Sequence, residues 1–232
     1  MHDVSALFTQ IFNDPGHWDE VMLNIAGQEY TQANIVSVSI SGGLFDTPGI
    51  GNCASRQIDM EIIPIGTIPR QAQIQVFSRV CVDDQQSEWI PKGVFFFSTR
   101  ETDSTSGVMT VTGYDAMLKA EDVWLNEDYV YDNWPMPQSV AVNDIAARMG
   151  VELDGRTVLS EQFPVEYPVD EDGDLYMREA LSYIAVSNAG NWIITDEGKL
   201  RLVRFGTLPE ITRVLGTETG ATVLFGEVKI LV

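Results

Sequence analysis

Ile35-Val36-Ser37-Val38-Ser39-Ile40-Ser41 alternates apolar and polar side chains almost without a break. A two-residue period is that of a strand with one face in a core and the other in water. The same rhythm returns in Ser55-Arg56-Gln57-Ile58-Asp59-Met60-Glu61-Ile62-Ile63. Working outward, strands are expected at Glu20–Ile25, Gln73–Val80, Gly93–Thr99 and Val108–Tyr114, with a turn at Gly27-Gln28 and a hairpin turn over Asp103–Gly107. Pro64, Pro69 and Pro91 are placed between strands, where a missing N–H breaks no ladder bond. About six strands at near-regular spacing imply an antiparallel barrel or sandwich. Ahead of them Val4, Leu7, Phe8, Ile11 and Phe12 recur at helical spacing, and Asn13-Asp14-Pro15-Gly16 ends that short helix.

Past Tyr114 the period changes. Asp115–Leu125 reads as helix, and Tyr129–Pro135 as an aromatic connection stopped by proline. Val140–Met149 is a second helix, with Ser139 as its expected N-cap and Gly150 as its C-terminal stop. A third helix spans Leu175–Ser187, with Asp172 and Asp174 at its positive end. Asn191–Thr195 and Leu200–Arg204 flank the turn Asp196-Glu197-Gly198-Lys199 as a hairpin, and a last strand is read over Ala221–Val232. The fold class is therefore α+β and β-rich. An antiparallel barrel-like domain with its N-terminal helix occupies 1–115, a smaller α+β domain of helices and a hairpin 116–205, and the start of a second β domain 206–232. The apolar ending Ile230-Leu231-Val232 carries the expectation of further sequence.

The 232 residues hold 34 Asp and Glu against 14 Lys and Arg, a formal charge of −20. Such a surface disfavours direct nucleic-acid binding, which needs clustered cations against phosphate, and docking on anionic lipid. No basic, apolar leader opens the chain and no stretch approaches a membrane span of ~20 apolar residues, so no membrane insertion by this segment is expected. Cys53 and Cys81 are too few for a disulfide framework and read as buried thiols of a reducing compartment.

Chemistry-bearing patterns are sparse. His2 and His17 stand in no triad-like context, and neither Cys-x-x-Cys nor His-Glu-x-x-His occurs. Asp170-Glu171-Asp172-Gly173-Asp174 places acids as a calcium loop would. Its Gly comes at position four instead of six, however, and Leu181 stands where position twelve needs Glu. Gly42–Gly51 holds four glycines and Pro48, but it leads into a strand and not into the helix N-terminus that a phosphate cradle requires. A long hairpin loop is the expectation. With 34 acids, chance pairs of carboxylates are unavoidable and single out no glycosidase site. Trp18, Trp89, Tyr129, Tyr131 and Trp134 suit either a sugar-stacking platform or burial in a core or interface. No catalytic residue, cofactor or metal ligand is assigned. The candidate interface residues are Gly43, Leu44 and Phe45 in the glycine loop and Tyr129, Tyr131 and Trp134 in the aromatic connection, because both segments present backbone or aromatics between elements.

Three passages carry a family resemblance: Val36–Phe45 running on through Ile50–Ile62; Gly93–Thr99 with Val108–Lys119; and Met177–Ala185 leading to Asn191–Leu202. Their order, from about Asn34 to Val203, resembles the hub or tail-associated proteins of phage tails and related contractile injection machines. In that family a strand pair ends in a Gly-Tyr-Asp step into a helix, here Gly113-Tyr114-Asp115. A later Arg-Glu-x-Leu helix, here Arg178-Glu179-Ala180-Leu181, leads to a hairpin turn reading Asp-x-Gly-Lys-Leu, here Asp196–Leu200. The resemblance implies a homotrimer whose tube-like β domains form a pseudo-sixfold ring. That ring would join a tail tube or distal tail protein to a spike or tip protein, at the tip of a virion tail assembled in the bacterial cytoplasm. From the residues themselves, the lack of catalytic patterns leads to the expectation of no enzyme, and the charge to no sequence-specific nucleic-acid binding. A glycan-binding module of the tail tip and another baseplate adaptor are the alternatives. The chain departs from the family in length, since hubs commonly carry a longer C-terminal half.

Overall fold

The computed structural model describes residues 4–44, 49–70, 72–126, 134–160, 162–166, 173–205, 224–225 and 228–229. In chain order the elements begin with α1 (Ala6–Phe12), β1 (Trp18–Ile25), β2 (Gln28–Tyr30), β3 (Ile35–Ser41), β4 (Gln57–Ile62), β5 (Gln73–Val82), β6 (Gln85–Gln86), β7 (Ile90–Thr102) and β8 (Met109–Asp115). After a 3-10 helix (Ala116–Glu121) come β9 (Val123–Leu125), α2 (Gln138–Met149), β10 (Leu175–Tyr176), α3 (Met177–Ser187), β11 (Gly190–Ile194) and β12 (Leu200–Arg204).

All pairings of the large sheet are antiparallel, in the order β2-β1-β5-β7-β8-β4-β3, with β6 added beside β5. The two ends of that path, β2 and β3, are consecutive in sequence. Laid flat, six strand spacings would part them by about 29 Å. The link through residues 31–34 reaches at most about 18 Å. The sheet must therefore curl, and it forms a half-barrel. The fold is β-rich α+β, as the alternation and its breaks imply.

Inside the curl pack Leu23, Ile25, Ile58, Met60, Ile62, Ile74, Val76, Phe95 and Val111, the inward-facing residues of five strands. Tyr30, fully buried, closes one end: its hydroxyl accepts a hydrogen bond at 3.0 Å from the Ile65 N–H just past β4. This bond ties β2, one end of the sheet path, to the chain just past β4, the strand next to the other end. α1 caps the other end. Ser5 Oγ accepts from the Phe8 N–H at 2.9 Å, and Glu88 receives both Ser5 N–H and Ser5 Oγ. Only Ile11 of α1 is buried.

A second core gathers the 3-10 helix, α2, α3 and the β11–β12 hairpin around Trp124 and Trp192. Both indoles are anchored at their polar ends, Trp192 Nε1 to the Leu181 carbonyl and Trp124 Nε1 to Asp144, each at 2.8 Å. Among the described residues no helix is long and apolar enough to cross a membrane.

Several boundaries differ from those read in the sequence. The turn after β1 is Ala26-Gly27, both at positive φ, so Gln28 already belongs to β2. Pro91 lies within β7 at a register shift opposite Phe77. β8 joins β7 only from Phe95 onward, so the missing N–H leaves no ladder bond unmade. Asp115–Leu125 is not a continuous helix. Asp115 caps a six-residue 3-10 helix, and Val123-Trp124-Leu125 straightens to pair with β10. α2 begins at Gln138 with Pro137 before it, so Ser139 is inside the helix and not its cap. The reason is Gln138, whose buried amide bonds Ser187 and Asn188 at the end of α3. Gly150 ends α2 in the left-handed conformation, as expected. Leu175 and Tyr176 are a strand, and α3 starts at Met177, with Glu179 accepting the Tyr176 N–H. Asp172 lies outside the described residues. So does most of the expected strand 221–232, in which Leu224–Phe225 (β13) pairs antiparallel with Val228–Lys229 (β14) and forms a hairpin instead.

Replacing Tyr30 by Phe leaves the half-buried Ile65 N–H without its partner and is expected to cost about 1 kcal/mol in chemical denaturation. Tyr30→Ala, which also empties the end of the core, is expected to cost about 3–5 kcal/mol.

Candidate functional site

The segment joining β3 to β4 is the hairpin connection expected, and it also docks on the second core. The Gly51 N–H donates to the Gly190 carbonyl at 2.9 Å, the Asn52 N–H to Asn191 Oδ1 at 2.9 Å, and the Trp192 N–H to the Asn52 carbonyl at 2.8 Å. Cys53 and Trp192 form a parallel bridge. From α3, Ser182 donates to the Gly51 carbonyl at 2.7 Å and Arg178 to the Cys53 carbonyl. Asn191 Nδ2 reaches the carbonyls of Leu44 and Gly49. Gly51 is required here. Its φ is +87°, and a Cβ would meet Val186 Cγ2 at 2.6 Å. Gly51 thus serves the close approach of this segment to α3.

Next to this strip, Asp115 is buried at the end of β8. It accepts from the Arg56 N–H at 3.0 Å, Ser55 Oγ at 3.0 Å and the Met117 N–H at 3.1 Å. Burial pushes its carboxyl above the ordinary Asp value, against those donors and the Arg56 charge. The Arg56 guanidinium, 5.5 Å from the Phe95 ring centre, crosses to the hairpin turn. It bonds Asp196 at 2.6 Å and the Thr195 carbonyl at 3.3 Å. Motif residues quoted for the family resemblance thus meet at one place: Asp115, Arg178 and Asp196 join the half-barrel to the second core. Sequence reading did not assign Arg56 or Asn191 a role, and no local pattern marks either one.

Between Gly43-Leu44-Ala54 and the β11–β12 hairpin lies a cleft of about 380 Å³. Its walls carry Arg56, Arg156 and Arg201 but also Asp196 and Glu197, and Asp154 engages Arg156 through both carboxylate oxygens. Charge in this cleft is close to balanced, so it does not select an anion. Gly43 and Leu44 line it, and the Leu44 carbonyl is already engaged by Asn191. Trp134 packs edge-on against Trp124, ring centres 6.5 Å apart, at the margin of the second core. Phe45, Tyr129 and Tyr131 lie outside the described residues. The structure therefore does not bring the two proposed interface segments together through any described contact. Trp89 carries the Arg79 guanidinium over one face of its ring, 4.3 Å from the centroid. Cys53 and Cys81 are both buried and are not joined in a disulfide. Among the described residues no group of three or more His, Cys, Asp or Glu converges as a metal site would require.

Together these features define a β-rich protein in which a network of polar side chains joins two cores. No family model and no curated protein matches the chain. Its structure is similar to the crystal structure of the 43 kDa tail protein of prophage MuSo2 from Shewanella oneidensis. The TM-score is 0.53 at 13% identity, covering 91% of this chain and 61% of that one. A tail protein from Neisseria meningitidis MC58 gives a TM-score of 0.49 at 12% identity, over 88% of this chain and 53% of that one. The chain shares its fold with the prophage protein and spans about three-fifths of its length.

Asp115→Ala is expected to cost about 2–4 kcal/mol, because it leaves the buried Met117 N–H and the half-buried Arg56 N–H without their acceptor. Thermal unfolding of the variant measures it. Asp154 carries the opposite pH signature to Asp115. Arg156 holds its carboxyl well below the usual range, so its contribution is complete above the unfolded value of about 3.9 and fades as pH falls toward the folded value. Denaturation midpoints from pH 6 to pH 2 should fall less steeply for Asp154→Asn than for the wild type.

Proposed function

We propose that this chain is a structural, non-enzymatic subunit of a phage or phage-like tail, acting at the tail tip as a hub between the tail tube and the spike or tip. In this reading it works as a homotrimer, and DNA or an effector passes through the ring. The fold shared with the prophage tail protein carries the proposal. The half-barrel supports it physically, because a curled sheet with unpaired ends is a unit that neighbours can extend into a ring.

The outer face of β3, β4 and β8 suits a channel wall. Ser37, Ser39, Asp59, Glu61, Thr110 and Thr112 stand on it, and none of them is basic. Asp59 accepts from Thr112 and from Gln57 at 2.8 and 2.7 Å, which fixes the acid on a hydroxyl-rich surface. With −20 on the whole chain, such a lining would repel passing phosphate and leave DNA free to slide. The tail tube or distal tail protein on one side and the spike on the other are the partners in this reading.

Light scattering across concentration and salt is expected to give a mass near three times 25.7 kDa. A strict monomer at every concentration would count against the ring.

A further inference from the structure

β3 ends the sheet path, and no strand among the described residues pairs with its outer side. Its ladder phase follows from β4. The Ile63 N–H donates toward β3, to the Asn34 carbonyl at 2.8 Å, whereas the Arg56 carbonyl accepts from Asp115 on the β8 side. Odd-numbered residues of β4 therefore point their backbone groups at β3, and even-numbered ones at β8. In the observed register Ser37 faces Glu61 and Ser39 faces Asp59, so both serines bond inward to β4. The N–H and C=O groups of Val38 and Ile40 are left pointing away from the sheet.

Exposed edges are ordinarily guarded by charge, proline or shortness. This one is seven residues long, about 23 Å, and consists only of Ile, Val and Ser. It sits in a chain with 34 acids, and its neighbours Asn34 and Gly42 are uncharged as well. Val36 and Ile40 are 54% and 37% exposed. Ile40 and Val38 also line an apolar cleft of about 400 Å³ between β3, β1 and α1, where Phe12 is exposed too.

We infer that the outer edge of β3 is the contact between copies of this chain, made by main-chain hydrogen bonds from Val38 and Ile40 to a strand of a second copy. Charge selects this occupant. Two molecules of −20 repel wherever acidic faces meet, and β3 offers a long edge on which no like charges oppose each other. A cationic partner would gain nothing from an uncharged strand and would settle on the acidic surfaces instead. The inference rests on the oligomeric reading above.

The test compares wild type, Ile40→Ala and Ile40→Pro by light scattering, with circular dichroism confirming the fold of each. Alanine removes the side chain and keeps the N–H, whereas proline removes the outward N–H at a position where an edge strand tolerates it. Wild type and Ile40→Ala should assemble alike, and Ile40→Pro should stay monomeric at concentrations at least tenfold higher. The Val38 and Ile40 amides should exchange hydrogen quickly in dilute monomer and slowly in the assembly. Assembly of Ile40→Pro at the wild-type concentration overturns the inference and leaves the oligomer intact. Equal dissociation of the alanine and proline variants overturns it by showing a side-chain contact. Protection of both amides in the monomer overturns it by showing an edge covered within one chain. A wild type that never assembles overturns the oligomeric reading together with the inference.

Discussion

The buried carboxylate of Asp115 is where the two cores become one structure. It ends β8, caps the 3-10 helix through the Met117 N–H, and holds Ser55 and Arg56 at the start of β4. Arg56 in turn crosses to Asp196 and Thr195 on the hairpin. A carboxyl this buried is costly to ionise, so it persists in such a place only with several donors around it. Its donors come from Met117 close by and from Ser55-Arg56 some sixty residues back, and Arg56 extends the link to the hairpin turn. The packing of the half-barrel against α3 and the β11–β12 hairpin follows from satisfying them, with the strip Gly51–Cys53 laid down beside it.

Most of the fold was legible in the sequence because it depends on period. Ile58-Asp59-Met60-Glu61-Ile62 alternates inward and outward just as its side chains require, and the Asp196–Lys199 turn marks its hairpin. What escaped was decided at long range. Asp115–Leu125 has helical composition, but Leu125 and Val123 find partners in β10, some fifty residues on. Ser139 is the better N-cap by type, yet the network of Gln138, Ser187 and Asn188 starts the helix two residues earlier than that cap would. Pro91 reads as a break until the end of the β8 pairing at Phe95 shows that its N–H would have had no partner there.

The candidate site was legible in a different way. No residue signals catalysis, and the segments chosen as interfaces were chosen for exposed backbone and aromatics. One of them, the glycine loop, turns out to be engaged within the chain, through the Leu44 carbonyl and Gly51. The residues quoted for the family resemblance prove to be structural couplers, which explains how a motif with no chemistry can still be distinctive. Arg56 has no sequence signal because its importance lies in geometry, between a buried acid and a distant turn. The edge of β3 is likewise visible only once the sheet order shows that nothing described lies beyond it.

In the proposed reading the protein is a scaffold that acts through its neighbours, and its uncharged edge and the acids of its outer face serve an assembly. Cryo-electron microscopy of the assembled protein tests that account most directly. It predicts a threefold ring with a continuous sheet around a central channel, and with Asp59 and Glu61 facing the lumen. A ring with a basic or apolar lumen, or particles that remain single copies at every concentration imaged, would contradict it.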